Sequence, residues 1–274
     1  MIHVWKASGE LALATTEKLT VRALKLQLGF PRFRQRLCEA GSCSYLGDCA
    51  EVSGPIDITA LLLPFQRSSE AEDRELIQAA AHGDLATTER LLNRPLDPNC
   101  VSVNEDDGEF HTPLGEACQE GHMEVVSMLV EANANVNGEC GMYGQETTPL
   151  GLACERGALH MVELLLSHGA ETGLCHYSVG HGSFQHPLVM AAHAGDLQIV
   201  SVLLAAGARP YGEALVEAAL LDNAGIVAVL LGARADPFGP LGYRYRCSTP
   251  IAIAMAGGCS EIVKMMEESS HQPL

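Results

Sequence analysis

The sequence predicts a mainly α solenoid of about six helix-turn-helix units, preceded by a small α+β roll, and three observations predict it. A Thr-Pro-Leu unit closed by Gly recurs through the C-terminal three-quarters of the chain. Apolar pairs at helical spacing follow each copy at a fixed distance. Charge is split unevenly: residues 1–66 carry seven Lys/Arg and six Asp/Glu, whereas 67–274 carry ten and twenty-eight. That split, with the polar stretch Arg67-Ser68-Ser69-Glu70 after Leu61-Leu62-Leu63, predicts domains at 1–66 and 73–274 joined by a linker over 67–72.

The roll comes first. Met1 to Ala7 and Leu11 to Thr15 alternate as strands do, with Ser8-Gly9-Glu10 as the turn of a hairpin. Thr20 is placed to cap a helix whose Val21, Leu24 and Leu28 share one face, and Gly29 and Pro31 end it. Strand-like runs follow at Arg34 to Gly41 and Ile58 to Leu63. The order ββαββ over some sixty residues predicts a compact roll. Gln35-Arg36-Leu37-Cys38-Glu39-Ala40-Gly41 and the loop Ser44-Tyr45-Leu46-Gly47-Asp48 resemble a strand and loop of the ubiquitin-like β-grasp family. The resemblance implies a recognition patch at Cys38 and Leu62 with the Ala7-Ser8 turn, Cys38 replacing the family's central isoleucine. Leu63-Pro64-Phe65-Gln66 runs on without a Gly-Gly end, so conjugation to another protein is not expected.

Behind the roll, four segments repeat: Thr112-Pro113-Leu114 to Gly121, Thr148-Pro149-Leu150 to Gly157, His186-Pro187-Leu188 to Gly195, and Thr249-Pro250-Ile251 to Gly258. Weaker copies lie at Leu76 to Gly83 and Leu215 to Asp222. Equivalent apolar residues are thus spaced 38, 36, 38, 27 and 36 apart. Thr caps the first helix, and Pro occupies a position where no hydrogen bond is lost. A second helix follows, carrying Val125-Val126 with Met128-Leu129 and their counterparts up to Ile262-Val263 with Met265-Met266. It stops at Asn133-Ala134, Gly169-Ala170 or Gly207-Ala208, where positive φ is wanted. Two helices of about ten residues cannot bury their own apolar stripe, so each unit must stack on the next.

These units resemble ankyrin repeats, with their Thr-Pro-Leu-His-x-Ala signature, over roughly residues 72–270. The signature His is replaced by Gly115, Gly151, Val189 and Ala252, so the hydrogen bonds it makes between loops should be missing and each repeat less stable. Polar Thr87 and Thr88 in the first unit, and Lys264, Glu267 and Glu268 in the last, read as capping repeats. The resemblance implies binding at finger tips and at the two residues before each closing Gly: His82, Gln119, Glu120, Glu155, Arg156 and His193.

Composition narrows the function. With 47% hydrophobic and 19% charged residues in 274, the chain has material for a packed core. A net charge of −17 repels phosphate backbones and anionic lipid, which excludes nucleic acid and membrane surfaces and favours a basic or neutral protein partner. Lys6, Glu10, Glu17 and Lys18 interrupt any leader, and no apolar run is long enough to span a bilayer. A monomeric protein of the cytoplasm, with the nucleus also open to it, is expected. The ten cysteines are expected reduced, Cys118 and Cys154 within apolar helical patterns.

Fingers supply the remaining candidates. Glu105-Asp106-Asp107-Gly108-Glu109 is either a solvated tip or a charged finger for a basic partner. Phe110, Tyr143, Tyr177, Phe184, Tyr211, Tyr243 and Tyr245 all fall in connections, as anchors for a partner or as packing between fingers. His111 and Glu146 flank two of them. Arg244 and Arg246 meet an acidic feature of a partner or neutralise Glu213 and Glu217. Cys175, His176, His181 and His186 offer four ligand types within twelve residues, in a spacing that matches no common zinc motif. No metal or other cofactor is expected. Neither Walker loop, nucleophile elbow nor H-E-x-x-H helix occurs, so catalysis is not expected. The reading is a non-catalytic adaptor; the alternative is a component of ubiquitin-linked turnover, its roll docking on a ubiquitin-handling machine.

Overall fold

The computed structural model describes residues 2–8, 10–15, 19–28, 32–39, 45–53, 55–64, 68–94, 96–103, 110–138, 147–174, 176–178, 183–209, 211–241 and 248–269. Chain contacts divide it into two compact units, one of Met1–Ser102 with Thr112–Asn135, the other of Val103–His111 with Val136–Leu274.

The first unit opens with strands β1 (Ile2–Lys6), β2 (Leu11–Thr15) and β3 (Leu19–Thr20), helix α1 (Val21–Gln27), a 3-10 turn at Arg32–Arg34, then β4 (Gln35–Glu39), β5 (Glu51–Val52) and β6 (Ile56–Leu62). The sheet order is β2-β1-β6-β4. Its central pair β1 and β6 is parallel, and both outer pairs are antiparallel. Strand alternation turns Ile2, Val4, Leu37 and Ile58 to one face, where Val21 and Leu24 of α1 cover them. Thr20 caps α1 as expected, its hydroxyl accepting from Ala23 N at 3.3 Å. The two-residue pair β3 and β5 was not foreseen.

Helices α2 (Glu70–His82), α3 (Leu85–Leu92), α4 (Pro113–Glu120) and α5 (Met123–Glu131) complete the first unit. Ser69 and Glu72 form a reciprocal capping box, so α2 starts within the polar stretch after the roll and takes in Glu70 to Glu72. Gly83 ends α2 at φ +69°, and a Cβ there would stand 2.7 Å from the His122 ring. That ring closes one repeat on the next, its Nε2 lying 3.1 Å from Ala81 O. Asn99 Oδ1 accepts from Asn135 N at 2.7 Å, a second link between consecutive repeats.

Short strands β7 (Ser102–Val103) and β8 (Phe110–His111) flank residues 104–109. The second unit then runs α6 (Pro149–Glu155), α7 (Leu159–Ser167), the hairpin β9 (His176–Ser178) with β10 (Ser183–Gln185), α8 (Pro187–Ala194), α9 (Leu197–Ala205), α10 (Gly212–Leu220), α11 (Ala224–Gly232), α12 (Pro250–Ala256) and α13 (Ser260–Ser269). Neighbouring repeats share a core, with Leu188, Ile199, Val200, Leu203, Leu215, Ile226, Val227 and Leu230 at zero exposure. Within this unit Asn137 bridges to the next repeat, donating to Gly169 O at 3.2 Å and accepting from Glu171 N at 2.9 Å. Asparagine side chains thus link loops in a chain that lacks the signature histidine.

The caps follow the sequence. Thr112, Thr148 and Thr249 hydroxyls accept from the third N–H of their helices at 3.1, 3.1 and 3.3 Å. Thr148 is buried, so Thr148→Ala should lose about 1 kcal/mol of stability, read as a lowered urea midpoint. Positive φ occurs at Asn133 as expected, and also at Asp222 and Arg234, where no Gly or Asn marks it. Two capping expectations need correction. Thr88 is fully buried, its hydroxyl donating to Asp84 O at 2.8 Å, so it does not face solvent. Lys264 is exposed like Glu163 and Ser201 at its position in inner repeats and so does not mark an end, whereas exposed Glu267 replaces Val130, Leu166, Leu204 and Leu231 as a cap would. Burial pushes the Cys100 thiol up to about 12 and the Cys154 thiol up as well, which keeps both protonated.

Candidate protein-binding surface

The last polar residues of each first helix project from a buried frame. In α4, Leu114, Ala117 and Cys118 face the core, and 3.6-residue periodicity leaves Gln119 and Glu120 exposed. Glu155 and Arg156 are exposed in the same way at the end of α6, and His193 at the end of α8. His82 is exposed too but folds back on its own helix, with Nδ1 2.7 Å from Gln78 O. Five of these six positions lie in helices and are held by them; Arg156 is the C-cap of α6.

His193 has a partner that sequence reasoning missed as such. Its Nδ1 lies 2.9 Å from Oε2 of Glu217, a carboxylate on α10 with only 7% of its side chain exposed. The equivalent positions in the other repeats are Gln78, Glu116, Leu152, Met190 and Ile253, so nothing in the repeat pattern marked Glu217 as a partner.

Tyr211 precedes α10 and is half-buried, its ring stacked on His186 at 4.1 Å and 3°. This aromatic packs between connections. Burial lowers the His186 pKa below its ordinary 6.5, against a backbone hydrogen bond at Gly173 and the charge of Glu213. The neutral ring is therefore the native form, and the unfolded chain takes up the proton first as pH falls. Stability should decline as pH falls through and below the ordinary histidine value of 6.5, and His186→Phe, which keeps a stacking ring, should flatten that decline in urea titrations.

Of the four residues considered for a metal, Cys175, His181 and the side chain of His176 lie outside the described residues, while His186 is committed to Tyr211. Among the described residues no group of three or more His, Cys, Asp or Glu could hold a metal ion. Phe110 and His111 are half-buried in β8. Tyr177 and Phe184 stand opposite one another in the β9–β10 register, where a flexible finger was expected; their side chains are not described. Glu105 to Glu109, Tyr143, Glu146, Tyr243, Arg244, Tyr245 and Arg246 also lie outside the described residues.

The roll patch needs correction. Cys38 pairs with Thr59 across β4 and β6, and strand alternation puts Leu61 on that face and Leu62 on the opposite one. Cys38 and Leu62 therefore do not share a surface. Leu62, Ala7 and Ser8 instead line an apolar cavity of about 320 Å³ with Leu28 and Ala60. On the Cys38 face, Trp5 Nε1 donates to Asp57 Oδ1 at 3.1 Å, and that bond, with His3, holds the Asp57 carboxyl below its ordinary range.

No described helix is long and apolar enough to cross a membrane. The ankyrin-repeat family, as three copies, matches residues 76–176. An ankyrin-repeat domain from Acinetobacter baumannii superposes with a TM-score of 0.58 at 27% identity, covering 71% of this chain and 97% of that domain. The human ASB11 ankyrin repeat domain superposes with a TM-score of 0.54 at 25% identity, covering 72% of this chain and 84% of that one. The helical pairs within residues 76–176 thus match ankyrin repeats, the chain as a whole resembles ankyrin-repeat domains, a fold that typically binds proteins, and a small β-sheet region precedes the repeats.

Proposed function

We propose that this chain is a non-catalytic adaptor, monomeric and cytoplasmic, that holds a basic or neutral protein partner on the first-helix ends and finger connections of its repeats. The supporting observation is the contrast along α4, α6 and α8, where a buried frame ends in exposed polar residues of different kinds. Such an arrangement lets contact residues vary without disturbing the core. On this reading Gln119, Glu120, Glu155, Arg156 and His193 touch the partner from the helices, and the residues around Phe110, Tyr143, Phe184 and Tyr243 from the fingers. The domains are a roll over 1–66 and about six repeats, and the linker expected over 67–72 is shortened because α2 begins the repeats at Glu70. A proteome-wide screen with the purified chain should yield a saturable protein ligand, weakened about tenfold or more by Glu120→Lys with Glu155→Lys. No saturable ligand, or one indifferent to both charges, removes the proposal.

A second reading, a component of ubiquitin-linked turnover, draws support from the roll: a β2-β1-β6-β4 sheet with a parallel centre and one covering helix suits a ubiquitin-like β-grasp. If the Cys38 face docks on a ubiquitin-handling machine, Cys38→Asp should abolish docking in a pull-down, while Leu62→Asp on the other face should leave it. Wild-type protein that fails to dock leaves the simpler adaptor.

A further inference from the structure

Opposite charges from the roll and the repeats meet at Arg32, within the first compact unit. Arg32 sits in the 3-10 turn, 1% exposed, with its guanidinium 4.1 Å over the Phe33 ring. One nitrogen pairs with Glu131 of α5, a second lies 3.2 Å from Glu89 of α3, and Nε lies 3.2 Å from Asp48 of the roll itself. Lys25, 3% exposed, holds the other oxygen of Asp48 at 2.6 Å, and Arg22 holds the other oxygen of Glu131 at 2.7 Å. Arg36 donates to the backbone carbonyl of Asn93, just past α3. Three cations of the roll therefore face three carboxylates, two of which belong to the repeats. Among the counterparts of Glu89, Ser127 is half-buried and Glu163 and Ser201 are exposed, so a position mostly solvated elsewhere is here put to use.

We propose that this cluster is an electrostatic latch that fastens the roll to the second helices of the first two repeats and makes the roll and those two repeats one thermodynamic unit. Charge complementarity supports the pairing: the roll supplies cations to repeats whose acidic side chains far outnumber their basic ones. Removing one member of a buried pair strands the others without compensation, which is what makes such a cluster a latch.

The chain's single tryptophan, Trp5, lies in the roll, whereas helical circular dichroism is dominated by the repeats. Urea unfolding of the full chain can therefore follow the two parts separately. Glu131→Gln, in the repeats, should lower the Trp5 midpoint by roughly 1 M urea or more. Combined with Arg32→Met, it should shift that midpoint by less than the two single shifts together. A Trp5 midpoint unmoved by Glu131→Gln, or shifts that simply add, would overturn the latch. If Glu131→Gln loses its helical signal before urea is added, Glu89→Gln, whose carboxylate is 47% exposed, takes its place. A smaller shift is then expected, and an unmoved midpoint or simple addition again overturns the latch.

Discussion

Leu203→Ala in α9 should cost about 2–5 kcal/mol, read as a large fall in the urea midpoint of the helical signal. Leu203 has no exposed surface, and its equivalents Leu129, Leu165 and Leu230 are as deeply buried in their own units. Deleting its branched end removes apolar contact and leaves a cavity that rigid flanking helices fill poorly. Typical domains hold only about 5–15 kcal/mol in all, so this loss is severe. In a stack it is more so, because α9 packs on α8 and on its neighbours α7 and α11 and owes its stability to them.

Arg32→Ala should cost about 3–5 kcal/mol, with the roll as the part most affected. The guanidinium serves Asp48, Glu89 and Glu131, and the latter two come from the repeats. Truncation leaves Glu131, 13% exposed, with Arg22 alone, and Asp48, 18% exposed, with Lys25 alone. An exposed pair such as Arg74 with Glu70 offers the control: Arg74→Ala should change stability by less than about 1 kcal/mol. Equal effects from the two substitutions would contradict the burial argument.

The repeats were legible because their punctuation is local. Thr-Pro at a helix start and Gly at its end act on residues three or four positions away, and each reappears in the structure as a cap or a positive φ. Arg32 was not legible, since its partners Glu89 and Glu131 lie 57 and 99 residues further on and nothing in its neighbourhood announces them. Only the charge imbalance between roll and repeats hinted that the two attract. Cys38 and Leu62 were grouped wrongly because the face of a strand residue depends on the register with its partner, and a shift of one residue reverses it. Glu217 was not legible either, because Glu116 holds the same repeat position and the pairing of Glu217 with His193 depends on how two repeats stack.

Support by neighbours is the claim on which both the fold and its use as a binding frame depend. Amide hydrogen exchange on full-length Leu203→Ala tests it most directly. Protection should fall in α8, α10 and α11 as well as in α9, by comparable factors, because the repeats loosen together. A loss confined to α9, with the adjoining helices as protected as before, would contradict it.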